Sequence, residues 1–289
     1  MPPPTDLRLV PLEGGTFRMG SEDGIFPRDG ESPVREVALS PFAISALAVT
    51  NEQFAAFVDV TGYRTDAERA GFSFVFTAFL TDASRAAIRG RMADTPWWAA
   101  VNGASWRTPQ GPGSSLDGRA DHPVVHISHA DAVAFCAAYG LRLPTEAEWE
   151  FAARGGLDQC RYPWGDELLP EGRWCCNVWQ GSFPDRDAAE DGWAGTAPAE
   201  TFGPNGYGLF NMVGNSWEWC SDWFTSRPAM GATRDPTGPA TGTARVMRGG
   251  SYLCHESYCF RYRVSARSPT TPDTSTGHLG FRVARSLNR

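Results

Sequence analysis

The stretch "RLPTEAEWEFAARGG", residues 142–156, is a helix written with both of its ends. Thr145 supplies a capping hydroxyl and Glu148 stands three residues on, where it can bond back to the cap. Gly155 supplies the left-handed stop. The same grammar occurs twice more. "VTNEQFAAFVDVTGY" (49–63) starts at Thr50 with Gln53 and stops at Gly62. "HISHADAVAFCAAYG" (126–140) starts at Ser128 with Asp131 and stops at Gly140. At least three short helices are therefore expected, all in the first half or so of the chain.

The remainder reads as strands and long loops. "HPVVHIS" (122–128) and "REVALSPFAIS" (35–45) have strand composition. In "FRYRVSAR" (260–267), Phe260, Tyr262, Val264 and Ala266 alternate with Arg261, Arg263, Ser265 and Arg267, which predicts a half-buried strand. Residues 68–120 follow neither period and are expected to form a surface lobe. No linker, low-complexity tract or repeat divides the chain. The fold class expected is α+β, one loop-rich domain over residues 1–289, poor in regular structure.

Composition agrees. Gly 31 and Pro 22 in 289 residues predict many turns, and Trp 11 predicts indoles in the core. The net charge of −7 argues against nucleic acid or an anionic membrane as partner. "MPPPTDLRLVPLEGG" has neither the basic start nor the apolar run of a signal peptide, and no apolar run reaches transmembrane length. The cytoplasm is the expected compartment, where thiols stay reduced. Cys136 falls in an apolar helical pattern. Cys160, Cys175, Cys176 and Cys220 show no paired spacing and are read as structural.

Cys254 and Cys259, in "RGGSYLCHESYCFRYRVSAR" (248–267), are different. Residues five apart face opposite sides of a strand and diverge by roughly 140° on a helix, so the thiols meet only if the chain turns between them. "HESY" supplies such a turn. With strands entering and leaving, the cysteines would be cross-strand neighbours. Five arginines against one glutamate in residues 245–267 favour thiolates. Two thiolates without further soft ligands suit Cu(I), whereas zinc wants four ligands and only His255 is at hand. A structural disulfide, two core thiols and a metal-free redox pair remain open on local chemistry.

The frame around this pair, with "TPD" (271–273) and "LGFR" (279–282) after it, resembles the formylglycine-generating enzymes, the sulfatase-modifying factors. The likeness runs through "GGTFRMGS" (14–21), "HPVVHIS", "RLPTEAEWEFAARGG", "YPWG" (162–165), "NVWQGSFP" (177–184), residues 190–198 and "PNGYGLFNMVGNSWEW" (204–219). It implies a calcium-stabilised variant of the C-type-lectin fold. It also implies an oxidase, using O2 and copper, that converts the cysteine of a Cys-x-Pro-x-Arg motif in an unfolded sulfatase to formylglycine. The two thiolates hold the copper and the substrate thiolate completes the site. The implied catalytic residues are Cys254, Cys259, Ser251, Tyr258 and Trp217. The implied peptide contacts are His255, Ala67, Ser73, Phe74, Trp97 and Phe202. A first calcium ion is implied on Asn177 and Asp191 with the carbonyls of Val178 and Trp193. A second is implied on Asn211 and Glu218 with the carbonyls of Gly214 and Ser216. Hard cations take oxygen ligands of this mixed kind. Phe72 stands where such enzymes carry an acid, His278 where they carry asparagine, and Phe260 is an unusual follower of the second cysteine, which bears on flank preference. The protein is expected to act as a monomer. A peptide-binding relative without chemistry and a dithiol redox protein are the alternatives. His122, His126 and His129 are read as structural rather than as a metal triad.

Overall fold

The computed structural model describes residues 7–229 and 231–287, so the reading of the first six residues lies outside the described residues. The three helices form where the caps predict them. They are α1 (Asn51–Thr61), and, further on, His129–Ala138 and Glu146–Arg154. In each, the N-cap hydroxyl accepts from the third backbone N–H and the side chain there bonds back to the cap. In chain order, β1 (Leu9–Leu12), β2 (Gly15–Met19), β3 (Arg35–Leu39) and β4 (Phe42–Ser45) precede α1. "REVALSPFAIS" is thus two strands, in different sheets, broken at Ser40–Pro41.

After α1 come α2 (Asp66–Ala70), β5 (Phe72–Phe76), α3 (Asp82–Ala86), β6 (Ile88–Arg91) and β7 (Trp98–Asn102). The region that followed no period builds its own antiparallel sheet, in the order β5-β7-β6, over a small core of Val75, Leu80, Ala99, Val101 and Ala104. Then follow α4 (His129–Ala138), α5 (Glu146–Arg154), a short ladder of β8 (Gly181–Ser182) and β9 (Arg186–Asp187), β10 (Trp217–Trp223) and β11 (Thr233–Arg234). The chain closes with β12 (Arg245–Arg248), β13 (Arg267–Thr270), β14 (Leu279–Gly280) and β15 (Ala284–Ser286). The sheet β13-β12-β10-β14 carries the loops that concern function. The architecture is the expected loop-rich α+β mixture.

Indoles do fill the core: Trp106, Trp149 and Trp219 are completely buried. A second material is ionic. α5 presents Glu146 and Glu150 to Arg248 of β12 and Arg267 of β13, with all four side chains buried. Burial opposes the charge on Glu150, but Arg154 and Arg248 overcome it and hold its carboxyl near about 2.

Two expected strands do not form. "HPVVHIS" is extended loop with an isolated bridge at Pro123, and His126 adopts φ +62°. The two histidines go to different partners: His122 meets Thr196, and His126 bonds Ser73 and the Pro109 carbonyl. The alternation in "FRYRVSAR" also misleads, because β13 begins only at Arg267. Arg263 is buried rather than solvated, its guanidinium paired with Glu31 at 2.8 and 3.0 Å. Arg261 reaches Asp29 at 2.6 Å. Ion pairs to a distant acidic loop, not strand pairing, hold this segment.

Candidate active site

β12 ends at Arg248 because Gly249 and Gly250 take φ of +96° and +73°. A Cβ on Gly250 would lie 3.0 Å from the Tyr262 nitrogen, so the turn also needs its bare backbone. The chain then coils: Cys254 N–H donates to the Ser251 carbonyl at 2.9 Å, and Leu253 N–H to the Ser251 hydroxyl at 3.2 Å. "HESY" is the turn the spacing required, since Tyr258 and Cys259 N–H both donate to the His255 carbonyl, at 3.0 and 2.7 Å. The two cysteines are not cross-strand neighbours, because neither lies in a strand. They meet through consecutive turns.

Their sulfurs stand 2.8 Å apart, unbridged and buried. The Cys254 sulfur also receives the Ser251 N–H at 3.4 Å. The pair divides its protons unequally. Donation from Cys254, and then the Arg261 guanidinium, pull the Cys259 thiol down although burial opposes this. Burial, followed by the shared hydrogen bond, pushes the Cys254 thiol well up. Arg261 is oriented by Asp29 and by the Phe26 ring, 3.9 Å from its guanidinium carbon. Cys254 is the hydrogen-bond donor of the pair and Cys259 its more acidic member.

Both thiols open onto a cavity of about 160 Å³, shared with Trp97, Trp217, Ser251 and Tyr258. Five proposed site residues besides Trp97 thus converge: Cys254, Cys259, Ser251, Tyr258 and Trp217. Phe183, Arg261 and His278 line the same cavity and were not assigned to it from sequence. Tyr258 is 39% exposed, its ring stacked on Phe183 at 4.4 Å and edge-on to Trp97 at 5.0 Å. Only the aromatic before Pro184 marked Phe183 in the sequence. Arg261 had no such marker, because its partner Asp29 in "PRDGE" (27–31) lies more than two hundred residues earlier.

The remaining peptide-contact residues do not line the cavity. His255 turns onto Ser257. Ala67 is buried in α2, and Ser73 is buried with its hydroxyl between Ser275 and His126. Phe74 is half-buried, packed against the cluster that holds Phe76 and Trp98. Phe202 sits at φ +66° in a separate loop. His278 is pushed down to about 3 by burial and then by His126, so its imidazole is neutral, with Nδ1 2.7 Å from the Thr276 hydroxyl.

The oxygen-rich clusters carry their own signature. Asn177 Nδ2 donates to the Gly195 carbonyl at 2.8 Å, which fixes its amide orientation and leaves Oδ1 buried without a partner. Asn211 Nδ2 likewise donates to the Ala199 carbonyl at 3.0 Å, and its Oδ1 is also orphaned. Asp191 accepts N–H groups from Val178 and Trp193 while burial pushes its carboxyl up. Gln180 Nε2 also donates to the Asp191 carboxylate at 2.8 Å and to the Val178 carbonyl, so the orphaned Asn177 oxygen is the feature of this cluster that fits a cation. The second cluster fits less fully, since Glu218 already lies on Arg282 at 2.6 and 2.8 Å and accepts the Trp149 N–H. Among the described residues, no group of three His, Cys, Asp or Glu side chains is placed to hold a metal. None of their helices is long and apolar enough to cross a membrane.

A family model described as "Sulfatase-modifying factor enzyme 1-like domain" matches residues 4–287. The chain is 60% identical over 281 residues to the formylglycine-generating enzyme of Thermomonospora curvata, covering 96% of this chain and 92% of that one. It is 46% identical over 288 residues to the inactive C-alpha-formylglycine-generating enzyme 2 of Bos taurus, covering 98% and 89%. Among solved structures it is similar to PvdO from Pseudomonas aeruginosa, with a TM-score of 0.68 and 24% identity over 96% of this chain and 94% of that one. That last likeness is one of fold alone.

Proposed function

Because the chain belongs to the sulfatase-modifying factor enzyme 1-like family, we propose that it converts the cysteine of a Cys-x-Pro-x-Arg motif in an unfolded sulfatase to Cα-formylglycine, using O2 and copper. The observation that carries this is the pair of unbridged, buried sulfurs 2.8 Å apart at the floor of an aromatic cavity. Two adjacent soft donors suit Cu(I), and Cys254 and Cys259 would hold it. The metal, when bound, supplies the redox chemistry that O2 and a thiol lack by themselves. The chain's own residues do the rest. The hydrogen bond from Cys254, and then Arg261, favour the deprotonated form of Cys259, the form in which a thiol binds a soft ion. The Ser251 N–H steadies the Cys254 sulfur. Trp217 and Leu253 wall the cavity. Tyr258, stacked on Phe183, presents its ring at the mouth, where an extended peptide would enter.

The reading includes two structural calcium ions, one on Asn177, Val178, Asp191 and Trp193, the other on Asn211, Gly214, Ser216 and Glu218. The two orphaned amide oxygens support it. It also includes a single domain over 1–289, a cytoplasmic setting, a monomeric state, and peptide contacts at His255, Ala67, Ser73, Phe74, Trp97 and Phe202. Since Ala67 and Ser73 are buried, their part would be to shape the wall behind the groove.

The inactive bovine relative makes a peptide binder without chemistry the second reading. One experiment separates the two. A peptide containing Leu-Cys-Thr-Pro-Ser-Arg is incubated aerobically with reduced protein, with and without Cu(I), and weighed. The expected result is the thiol-to-aldehyde mass change, only with copper and only with both cysteines intact. An unchanged mass while Cu(I) is bound and the peptide docks would withdraw the oxidase. Turnover indifferent to a Cu(I) chelator would favour a metal-free dithiol.

A further inference from the structure

The β5-β7-β6 sheet has an unassigned surface. Residues 84–92, "SRAAIRGRM", hold Arg85, Arg89 and Arg91 and no acid, within a chain of net charge −7. All three arginines are exposed. The ion pairs nearby use Arg69 and Arg107, and among the described residues these three have none. β6 is the outer strand, with β7 on one side only. Its pairing with β7 shifts between Ile88 and Gly90; the Arg89 guanidinium lies on the face of the sheet over the Phe72 ring of β5, 4.4 Å from its centroid, and Arg91 donates to the Pro96 carbonyl at 3.1 Å. The strand leads to the cysteine cavity. Met92 N–H donates to the Trp98 carbonyl at 3.1 Å, and Trp97 and Trp98 both line that cavity.

We propose that an acidic segment of the substrate polypeptide, adjoining the cysteine to be modified, lies along the free edge of β6 with its carboxylates on Arg89 and Arg91. The inference rests on the reading that the chain acts on an unfolded polypeptide. An extended chain is what a sheet edge binds, main chain to main chain, with side chains read by neighbours of the strand. The hairpin from Met92 to Trp98 joins the edge strand to the cavity wall, so one extended polypeptide can run from one to the other. Charged residues on an edge strand also guard against aggregation. That task accepts a charge of either sign, whereas docking an acidic segment requires positive charge. Reversing the sign therefore tells the two apart.

The test uses three labelled peptides that share the Leu-Cys-Thr-Pro-Ser-Arg core and differ outside it, with glutamate, glycine or lysine flanks. Binding to the copper-free full chain is followed by anisotropy at low and at physiological salt. Conversion with copper is followed by mass. Two exposed charge pairs supply roughly three- to tenfold, so the glutamate peptide is expected to bind that much more tightly than the lysine peptide. The gap should narrow with salt. In Arg89→Glu/Arg91→Glu the order should invert, with an unchanged melting curve as the check on folding. Equal binding of all flanks by the parent chain, or a glutamate preference that survives the double substitution, overturns the proposal. Conversion without flank preference removes the docking inference and leaves the proposed activity. Flank preference without conversion does the reverse.

Discussion

Replacing Glu31 by glutamine leaves the Arg263 guanidinium charged, only 1% exposed and without its counter-ion. The pair is bidentate, at 2.8 and 3.0 Å, and Ser265 adds a weaker contact at 3.4 Å. Breaking a buried pair from one side costs about 3–5 kcal/mol, because the remaining charge keeps its desolvation penalty and loses its compensation. In a chain of this size that corresponds to a fall of roughly 10 °C in Tm. Urea unfolding followed by tryptophan fluorescence measures it directly. The same substitution should loosen the loop that carries Cys259, so iodoacetamide should alkylate Cys259 faster. Glu31→Met/Arg263→Met removes both charges and should recover most of the lost stability. Two results would refute the reasoning: a cost below about 1 kcal/mol for Glu31→Gln, or a double substitution as unstable as the single one. Either would mean that the segment is held by something other than this ion pair.

The other predictions concern pH and calcium. His126 is buried, and burial pushes it down to about 4 while the Pro109 carbonyl only partly opposes this. A histidine with a depressed folded pKa contributes stability above its unfolded value, near 6.5, and loses it as pH falls toward 4. Asp222, pushed up to about 7 by burial and then by Glu146, acts in the opposite direction over part of that range. The comparison is therefore His126→Gln against the parent chain. Between pH 6.5 and 4 the parent should lose roughly 3 kcal/mol relative to the variant, and parallel curves would exclude the histidine. If calcium occupies the orphaned-amide sites, chelation should lower the melting point. The scale is on the order of 2.7 kcal/mol when the ion stands at a hundredfold its Kd. Asn177→Leu should shrink that response, and a chelator response untouched by the substitution would remove Asn177 from the ligand set.

Some of this molecule was written locally. The three capped helices were legible because a capping box closes within three residues and a stop glycine acts on the turn just before it, whatever packs around them. The turn at "HESY" was legible for a similar reason: two thiols five apart meet only through a turn, and the His255 carbonyl supplies it. Cys136 in the core followed from its place on an apolar helix face, and burial holds its thiol up near about 12.

What the tertiary structure decided are the places where distant charges override local pattern. "FRYRVSAR" alternates like a strand, yet Arg261 and Arg263 are claimed by Asp29 and Glu31, more than two hundred residues earlier, and no periodicity records that pairing. "HPVVHIS" has strand composition, but His126 is drawn into a left-handed turn where Ser73 and the Pro109 carbonyl satisfy both ring nitrogens. The cavity is of the same kind. Phe183 and His278 reach the cysteines from separate loops, and their meeting depends on how those loops fold back on the sheet that carries β10 and β12. Sequence alone determined the elements with short-range reasons and the pair of thiols that had to meet. The partners of the buried charges and the walls around the sulfurs are long-range choices, made by desolvation and packing once the chain has closed on itself.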